Sequence, residues 1–381
     1  MSEPPVRWAI VGNGFARQVV LPCLRLVPRV RVAALCSRNA ERARETAEEF
    51  QIPEVFTDYR SMIASAEPDL VLVTAPPHLH GEISVFALEN GCHVLCEKPT
   101  ALNSGQAARM LDAARAAGDR LHLIDHELRF DPARRKIREL IAGGWVGRVR
   151  HGSWTHRSAG YADPARPFTW WHERSKGGGL LGAVGSHAVD LFRYWIGEFD
   201  QALGDLRIQV PLRNDPAAGS PREVETDDAF TALLRLRDGS ERVEPGATVA
   251  LDMSVAAPGP WVTRIEVLGS EGSLYLDEAG TLWGSKSGAT TWETIAVKED
   301  DVSKKDRELI PDTVWARSFL RYARRISEAM AAASPSVPDA ATFEDGLRVQ
   351  EVLDAVRASN ASGGWTKVAA ATGKGPAVRG A

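Results

Sequence analysis

Glu97-Lys98-Pro99 places an acid and a base side by side where a short apolar run, His93 to Cys96, stops. Such a run, bounded upstream by the turn signal Asn90-Gly91, has the form of a buried parallel strand. Ligands of open α/β sheets sit outside the carboxyl ends of strands, so Glu97 and Lys98 stand where chemistry is expected. Pro99 biases Lys98 away from the α region, and an X–Pro bond brings the cis form within ~0.5–1 kcal/mol of trans. A second group of reactive types is Trp170-Trp171-His172-Glu173-Arg174-Ser175-Lys176, followed by Gly177-Gly178-Gly179 and a helical stretch from Leu180 to Gly197. His187 and Asp190 lie three apart on one face of that helix. An imidazole facing a crevice can carry a proton near neutrality; a core histidine bonded to Asp190 fits the same residues. The glycines allow close approach of a ligand or a second backbone.

What precedes Lys98 gives these side chains a partner. Val6 to Val11 is an apolar strand, and Gly12-Asn13-Gly14-Phe15-Ala16-Arg17 leads from it into a helical face at Val19, Val20, Leu21 and Leu24. Strand, glycine turn and helix in that order form a dinucleotide fingerprint, with a pyrophosphate on the helix N-terminus. Arg17 stands at the third glycine position, so the fingerprint is incomplete. The second strand, Val30 to Leu35, leads to Ser37-Arg38 where a ribose-binding acid is expected. A hydroxyl and a guanidinium there suit a 2′-phosphate, which favours NADP over NAD. Arg42 could add to that site or simply face solvent. Thr74-Ala75-Pro76-Pro77-His78-Leu79-His80 follows the fourth strand, Leu70 to Val73, as an extended loop over a flat ligand. His80 fits a helix cap as well as a cofactor contact.

The elements that position these residues are read as follows. Helices are expected over 40–50, 59–64, 81–90 and 104–117, and strands at 55–56, 93–96 and 121–124. They make a Rossmann, doubly wound parallel sheet over residues 1–125. Asp125-His126-Glu127-Leu128-Arg129-Phe130-Asp131-Pro132 is the crossing into a second domain, residues 126–381, with a helix at 133–142. From Val149 the pattern becomes period two, as in Phe230, Ala232, Leu234 and Leu236 and again in Val249, Leu251, Met253 and Val255. This predicts an α+β domain with a large, mainly antiparallel open sheet. Its open face is a candidate subunit interface. Residues 214–228 read as a polar surface loop, 298–308 as a solvated charge run, and 314–332 and 343–359 as closing helices. The last dozen residues are small and polar and are expected to fray.

Composition narrows the function. A chain of 381 residues suits two domains. A net charge of −4 argues against a nucleic-acid partner, and no apolar stretch is long enough for a membrane span. Met1 to Pro5 does not read as a signal peptide, so the cytoplasm is expected. Cys23, Cys36, Cys92 and Cys96 are scattered and read as thiols, with no metal site.

Taken together, these features resemble the glucose-fructose oxidoreductase / inositol dehydrogenase / MocA (Gfo/Idh/MocA) family. The resemblance runs through Gly12 to Arg17 with Leu21-Pro22, Thr74 to His80, His93 to Pro99 and Leu128 to Pro132. It continues through Gly177-Gly178-Gly179, Gly185-Ser186-His187, Leu268 to Leu274 and Asp345-Gly346-Leu347. It implies NAD(P)-dependent oxidation or reduction of a sugar, cyclitol or related polyol, in a homodimer or homotetramer. Lys98 matches the family lysine between nicotinamide and the reacting oxygen, and His187 its catalytic histidine. Gly12, Asn13, Gly14, Phe15, Ala16, Ser37, Arg38, Thr74, Ala75, Pro76, His80, Glu97, Lys98 and His126 are the expected cofactor residues. Lys98, Arg129, Trp154, Trp170 and His187 are the expected substrate residues, with Asp190 as a further catalytic candidate; for Trp154 core packing fits equally. The family places an Asp four residues before its histidine, and here that position is Ala183. Asp190 or Glu127 could replace it in part. Two other readings remain: glycoside hydrolysis through transient oxidation by a retained NAD, and a non-catalytic cofactor-binding regulator.

Overall fold

The computed structural model describes residues 5–298 and 302–369. The expected frayed tail, residues 370–381, lies outside the described residues, as do residues 299–301 of the charge run. The strands are β1 Val6–Val11, β2 Val30–Cys36, β3 Glu54–Phe56, β4 Leu70–Val73, β5 His93–Cys96, β6 His122–Ile124, β7 Val149–Arg157, β8 Phe199–Arg207 and β9 Leu212–Asp215. They continue as β10 Ser220–Glu223, β11 Ala229–Leu236, β12 Val243–Ser254, β13 Val262–Gly269, β14 Gly272–Leu276, β15 Leu282–Lys286, β16 Glu293–Thr294, β17 Ala341–Thr342 and β18 Thr366–Lys367. The α-helices are α1 Leu21–Leu24, α2 Ala40–Phe50, α3 Tyr59–Ala66, α4 His80–Glu89, α5 Ser104–Ala116, α6 Pro132–Ala142, α7 Ser186–Trp195, α8 Lys304–Leu309, α9 Val314–Ala331 and α10 Phe343–Ser362.

Two compact units emerge. The first comprises residues 1–139, 169–183 and 296–347. Its sheet has the order β17-β6-β5-β4-β1-β2-β3, the Rossmann order with a chain reversal between β1 and β4. All its pairs are parallel except β17 on β6. Alternation along the strands splits the core in two. Trp8, Ile10, Leu35, Leu72 and Leu95 belong to one apolar cluster, with Phe319, Tyr322 and Ile326 of α9. Ala9, Val11, Val71, Val73 and Val94 belong to the other, with Ile83, Met110 and Leu111 of α4 and α5. The helices start where the sequence supplies caps. Asn39, Asp58 and Asn103 accept from the backbone N–H three residues on, each satisfying a donor that the helix leaves over.

The second unit comprises residues 140–168, 184–295 and 348–381. Its nine-stranded sheet runs β16-β15-β14-β13-β7-β12-β11-β8-β18. Every pair is antiparallel except β12 with β7, which is parallel. Phe230, Leu234, Val249, Leu251, Ile265 and Leu274 are buried on one face. Helix α10 is tied to β8 by the Gly204 and Leu206 amides, which donate to Ser359 Oγ and Asn360 Oδ1 at 3.0 and 2.8 Å. The other face carries the ion pairs Arg157–Asp252 and Arg264–Glu266, with Arg264 4.1 Å from the Tyr275 ring centroid.

Two expectations are corrected. Residues 214–228 are not simply a loop: β9 and β10 form a hairpin, because Pro211 to Asp215 and Ser220 to Val224 flank a small-residue turn at Pro216 to Gly219. The helix expected over 180–197 begins as a π-turn, Leu181–Gly185, before α7. The charge run also contains a short capped helix, α8, whose Ser303 hydroxyl accepts from the Asp306 amide. Among the described residues no helix is long and apolar enough to cross a membrane. All four cysteines are free thiols and buried.

Gly12 carries the tightest constraint on the first sheet. Its φ is +112°, and a Cβ there would lie 2.5 Å from the Thr74 carbonyl carbon and oxygen. Those are backbone atoms and cannot swing aside. Gly14 has no neighbour within 4 Å of such a position. Gly12→Ala is therefore expected to lose about 2–4 kcal/mol of stability from strain and overlap. Gly14→Ala should be close to neutral. Urea unfolding of both variants checks this, and equal losses would contradict it.

Candidate active site

The site residues of the first unit gather at the carboxyl ends of β1, β4, β5 and β6. At β1 the Gly12 amide donates to the Cys36 carbonyl at 2.9 Å, and Thr74 Oγ1 donates to the Gly12 carbonyl at 3.0 Å. This locks the turn against β4. Asn13 Nδ2 donates to the Arg42 carbonyl at 3.0 Å, which ties the turn to α2. Gly14 is exposed and open above its Cα, while Phe15 is half-buried and Ala16 fully buried. A backbone that is fixed below and bare above can meet a pyrophosphate. Beyond β2, Ser37 is half-buried and Arg38 exposed. Arg17, at the third glycine position, is held by Glu45 at 3.6 Å and Glu49 at 2.8 Å.

Thr74, Ala75 and Pro76 form an extended rim that leads into a 3₁₀ turn at Pro77–Leu79. His80 opens α4 but makes no side-chain cap there. Instead its ring spans two loops, with Nδ1 2.9 Å from the Pro99 carbonyl and Nε2 2.7 Å from the Ala75 carbonyl. It is 1% exposed. Burial pushes the imidazole down to about 4, against the pull of the carbonyls. A neutral ring is thus a strut between the Thr74 rim and the segment that follows Lys98.

Lys98 is the centre of the arrangement. Its Nζ donates to the Ala183 carbonyl at 3.1 Å and lies 4.0 Å from Glu97 Oε2. Its amide donates to the same Glu97 oxygen at 3.2 Å. The Lys98–Pro99 peptide is cis. Ala183 reaches this lysine because the glycines before it pack tightly. A Cβ on Gly178 would fall 2.0 Å from the Trp171 carbonyl oxygen, and one on Gly177 2.6 Å from Pro77 Cβ. The glycine run therefore serves the approach of a second backbone.

Behind Lys98 lie two further buried acids. The Asp125 amide donates to the Cys96 carbonyl at 2.7 Å, which sets its side chain beside Glu97. Asp125 is 0% exposed and Glu127 2%. Burial, then the charges of Glu127 and Glu97, push the Asp125 carboxyl well above the usual range. Burial also raises Glu97, opposed by Lys98 and by a hydrogen bond from Asp125. Asp125 thus favours its neutral form, and the Lys98 charge pulls Glu97 toward its anion against burial. Burial, then the Glu97 charge, raise Glu127 to about 8. Among the described residues no His, Cys, Asp and Glu are grouped to hold a metal.

The remaining expected residues are placed as follows. His126 is 1% exposed and Arg129 4%, the latter paired with Asp345 at 3.1 Å. Trp170 is 39% exposed on a 3₁₀ turn whose capping box joins Thr169 and His172. In the second unit, Trp154 is buried and its indole N–H donates to Thr263 Oγ1 at 3.0 Å, the geometry of a core ring. His187 and Asp190 are each 1% exposed on α7. Sequence reasoning missed Asp125 as a buried acid beside Glu97. Its signal was there, since an acid ends the strand that neighbours Glu97.

Comparisons place this geometry among known proteins. Residues 6–124 match the model of an oxidoreductase family with an NAD-binding Rossmann fold, and residues 134–275 match the GFO/IDH/MocA C-terminal domain. Glucose-fructose oxidoreductase domain-containing protein 2 of Xenopus laevis is 30% identical over 371 residues, covering 94% of this chain and 92% of that protein. Levoglucosan dehydrogenase of Pseudarthrobacter phenanthrenivorans is 28% identical over 256 residues, 64% of each chain. Among solved structures, an oxidoreductase domain protein from Kribbella flavida superposes with a TM-score of 0.85 at 28% identity, over 97% of this chain and all of that one. Levoglucosan dehydrogenase in complex with NADH and L-sorbose shares the fold, with a TM-score of 0.83 at 24% identity over 96% of this chain and 100% of that one.

The raised Glu127 has a consequence for stability. Its carboxyl binds a proton more tightly folded (about 8) than at its ordinary value of 4.5. The folded state therefore holds the extra proton between those values, and stability falls as pH rises through that window. Glu127→Gln removes this slope. The variant should gain on the parent with rising pH up to about 8, and the difference should level off below 4.5. Thermal melts of both proteins across the range check it; a constant difference would count against the assignment.

Proposed function

The chain belongs to the Gfo/Idh/MocA oxidoreductase family, and on that premise we propose that it transfers a hydride between a nicotinamide cofactor and a sugar, cyclitol or related polyol. The observation that carries this reading is the Lys98 ammonium. It stands at the end of β5, next to the reversal between β1 and β4, held by the Glu97 carboxylate and the Ala183 carbonyl. Residues 1–125 would bind the nucleotide, and residues 126–381 would supply substrate contacts and the subunit interface.

Gly12 to Ala16 would carry the pyrophosphate, since the turn is bare above Gly14. Ser37 and Arg38 would meet the adenosine ribose, with Thr74, Ala75, Pro76 and His80 along the nicotinamide side and His126 below. The bound nicotinamide supplies or accepts the hydride. Lys98 holds the substrate oxygen and stabilises it as an alkoxide; one preorganised donor of this kind is worth ~2.7–4 kcal/mol. His187 takes or returns the hydroxyl proton, with Asp190 as its acid partner. Glu97 keeps Lys98 in place. Arg129 acts through its pair with Asp345, and exposed Trp170 offers a face to a sugar ring. Relatives named as levoglucosan dehydrogenase and aldose-aldose oxidoreductase support a sugar-like substrate.

The Ser37-Arg38 pair supports NADP as the preferred cofactor, while neighbours solved with NADH keep NAD as the alternative. The charged face of the large sheet suits a homodimer or homotetramer.

Lys98→Met and His187→Ala should each lower turnover by at least ~10²-fold while nucleotide binding persists. Normal rates in both would sink the assignment, and lost binding in both would point to a structural role. On the cofactor side, NADP should raise the melting temperature more than NAD at equal concentration. Arg38→Ala should cancel that preference, and a larger shift with NAD in the parent would overturn the NADP reading.

A further inference from the structure

Most strand arginines of the second unit are already matched. Arg157, Arg207, Arg222 and Arg264 each face a carboxylate, and Arg213 and Arg235 donate to a carbonyl or amide oxygen. Arg150 on β7 is exposed and has no hydrogen bond, ion pair or ring contact among the described residues. Its backbone position is irregular too. Leu268 and Gly269 are adjacent on β13, whereas their partners His151 and Val149 have Arg150 between them. An extra residue of this kind forms a bulge that re-aims its side chain, and Arg150 lines a cavity of about 400 Å³.

The rest of that wall is polar and preformed. Ser273 and Ser285 lie opposite each other on β14 and β15. The loop after β15 is pinned twice: Ser285 Oγ donates to the Thr291 carbonyl at 2.9 Å, and the Ser287 amide donates to the Glu271 carbonyl at 2.9 Å. The hydroxyls of Ser273, Ser287 and Thr290 have no partner among the described residues. Lys286 adds a second positive charge, with its ammonium on the Trp145 carbonyl at 2.7 Å. No carboxylate lines the cavity. Trp292 lines it as well, with a ring that is 39% exposed and meets Tyr275 edge-on at 4.7 Å.

We propose that this cavity is a second ligand site, for a phosphate monoester with a compact organic body such as a sugar phosphate. The Arg150 guanidinium would hold two phosphoryl oxygens at once. The unspent hydroxyls of Ser273, Ser287 and Thr290 would donate to the remaining oxygen. The exposed Trp292 ring would pack against the body. Two positive charges with no acid in the wall call for an anion, which sets the site apart from one for a neutral sugar or a cation. A free phosphate ion offers the same oxyanion without the body, so the two sources should bind with different strength. The site lies wholly within the second unit and does not depend on the dehydrogenase reading.

The test is calorimetric titration of the full chain with inorganic phosphate and with glucose 6-phosphate, in the absence of nucleotide. Glucose 6-phosphate should bind the parent more tightly than phosphate does. Arg150→Ala should weaken both at least ~10-fold, since a charge-assisted pair is lost. Arg150→Lys keeps the charge without the fork and should fall between. Arg38→Ala, which alters the nucleotide end of the first unit, should leave both affinities unchanged. Arg150 is exposed and unpaired among the described residues, so Arg150→Ala should melt with the parent in phosphate-free buffer. Should it fail to fold, Ser273→Ala replaces it, with a severalfold loss expected. Unchanged affinity in Arg150→Ala, a loss in Arg38→Ala instead, or no binding of either ligand up to about 10 mM overturns the site. Equal affinity for the two ligands overturns the monoester assignment.

Discussion

A lysine that is largely withdrawn from water has to be matched by opposite charge and by acceptors, and that requirement organises the first unit. Removing an ion from water costs several kcal/mol even after relaxation, and only good geometry repays it. At Lys98 the match comes from Glu97 and from the Ala183 carbonyl. Each has its own support. Lys98 pulls Glu97 toward the anion against its burial, and burial favours the neutral form of Asp125 beside it. The Ala183 carbonyl arrives because Gly177 and Gly178 let its segment close on Pro77 and Trp171. His80 then braces the Pro99 carbonyl against the Thr74 rim. Losing Glu97 or the Ala183 carbonyl would leave the part-buried ammonium with one protein partner fewer.

Much of this was legible in the sequence because it follows from local rules. Apolar runs bounded by turns gave the parallel strands, and the carboxyl-end rule put Glu97 and Lys98 at the right edge. Caps such as Asn39, Asp58 and Asn103 are local hydrogen bonds and so mark helix starts. What was hidden depends on distant packing. Nothing near residue 319 announces that α9 joins the core of the first sheet beside Trp8 and Ile10. The β9–β10 hairpin lacks apolar alternation, so it reads as a loop. His80 fitted a cap or a cofactor contact in the sequence because its partners, Ala75 and Pro99, are brought together only by the fold. Asp125 could have been found, since β6 ends beside β5 and the same edge rule applies to it.

Ala183 is the informative departure. The resemblance leads one to expect a carboxylate there, and the chain has a methyl group whose backbone carbonyl faces Lys98 instead. Acidity has not left the neighbourhood: Glu97 follows β5, and Asp125 and Glu127 follow β6 beside it. Burial makes all three hold their protons more tightly than solvated acids do. A non-catalytic scaffold would have little use for a part-buried ammonium matched by a carboxylate, since apolar residues of similar size are often as stable in such places. The arrangement is better suited to holding a substrate oxygen.

The central claim, hydride transfer at Lys98, is tested most directly by following the hydride itself. The parent protein would be incubated with keto-sugars and the reduced nicotinamide cofactor carrying deuterium at C4, and the products weighed by mass spectrometry. The account predicts a polyol product that gains one deuterium on carbon from one face of the cofactor, and no such product from Lys98→Met. Reduced product that carries no deuterium, or equal labelling by Lys98→Met, would contradict it.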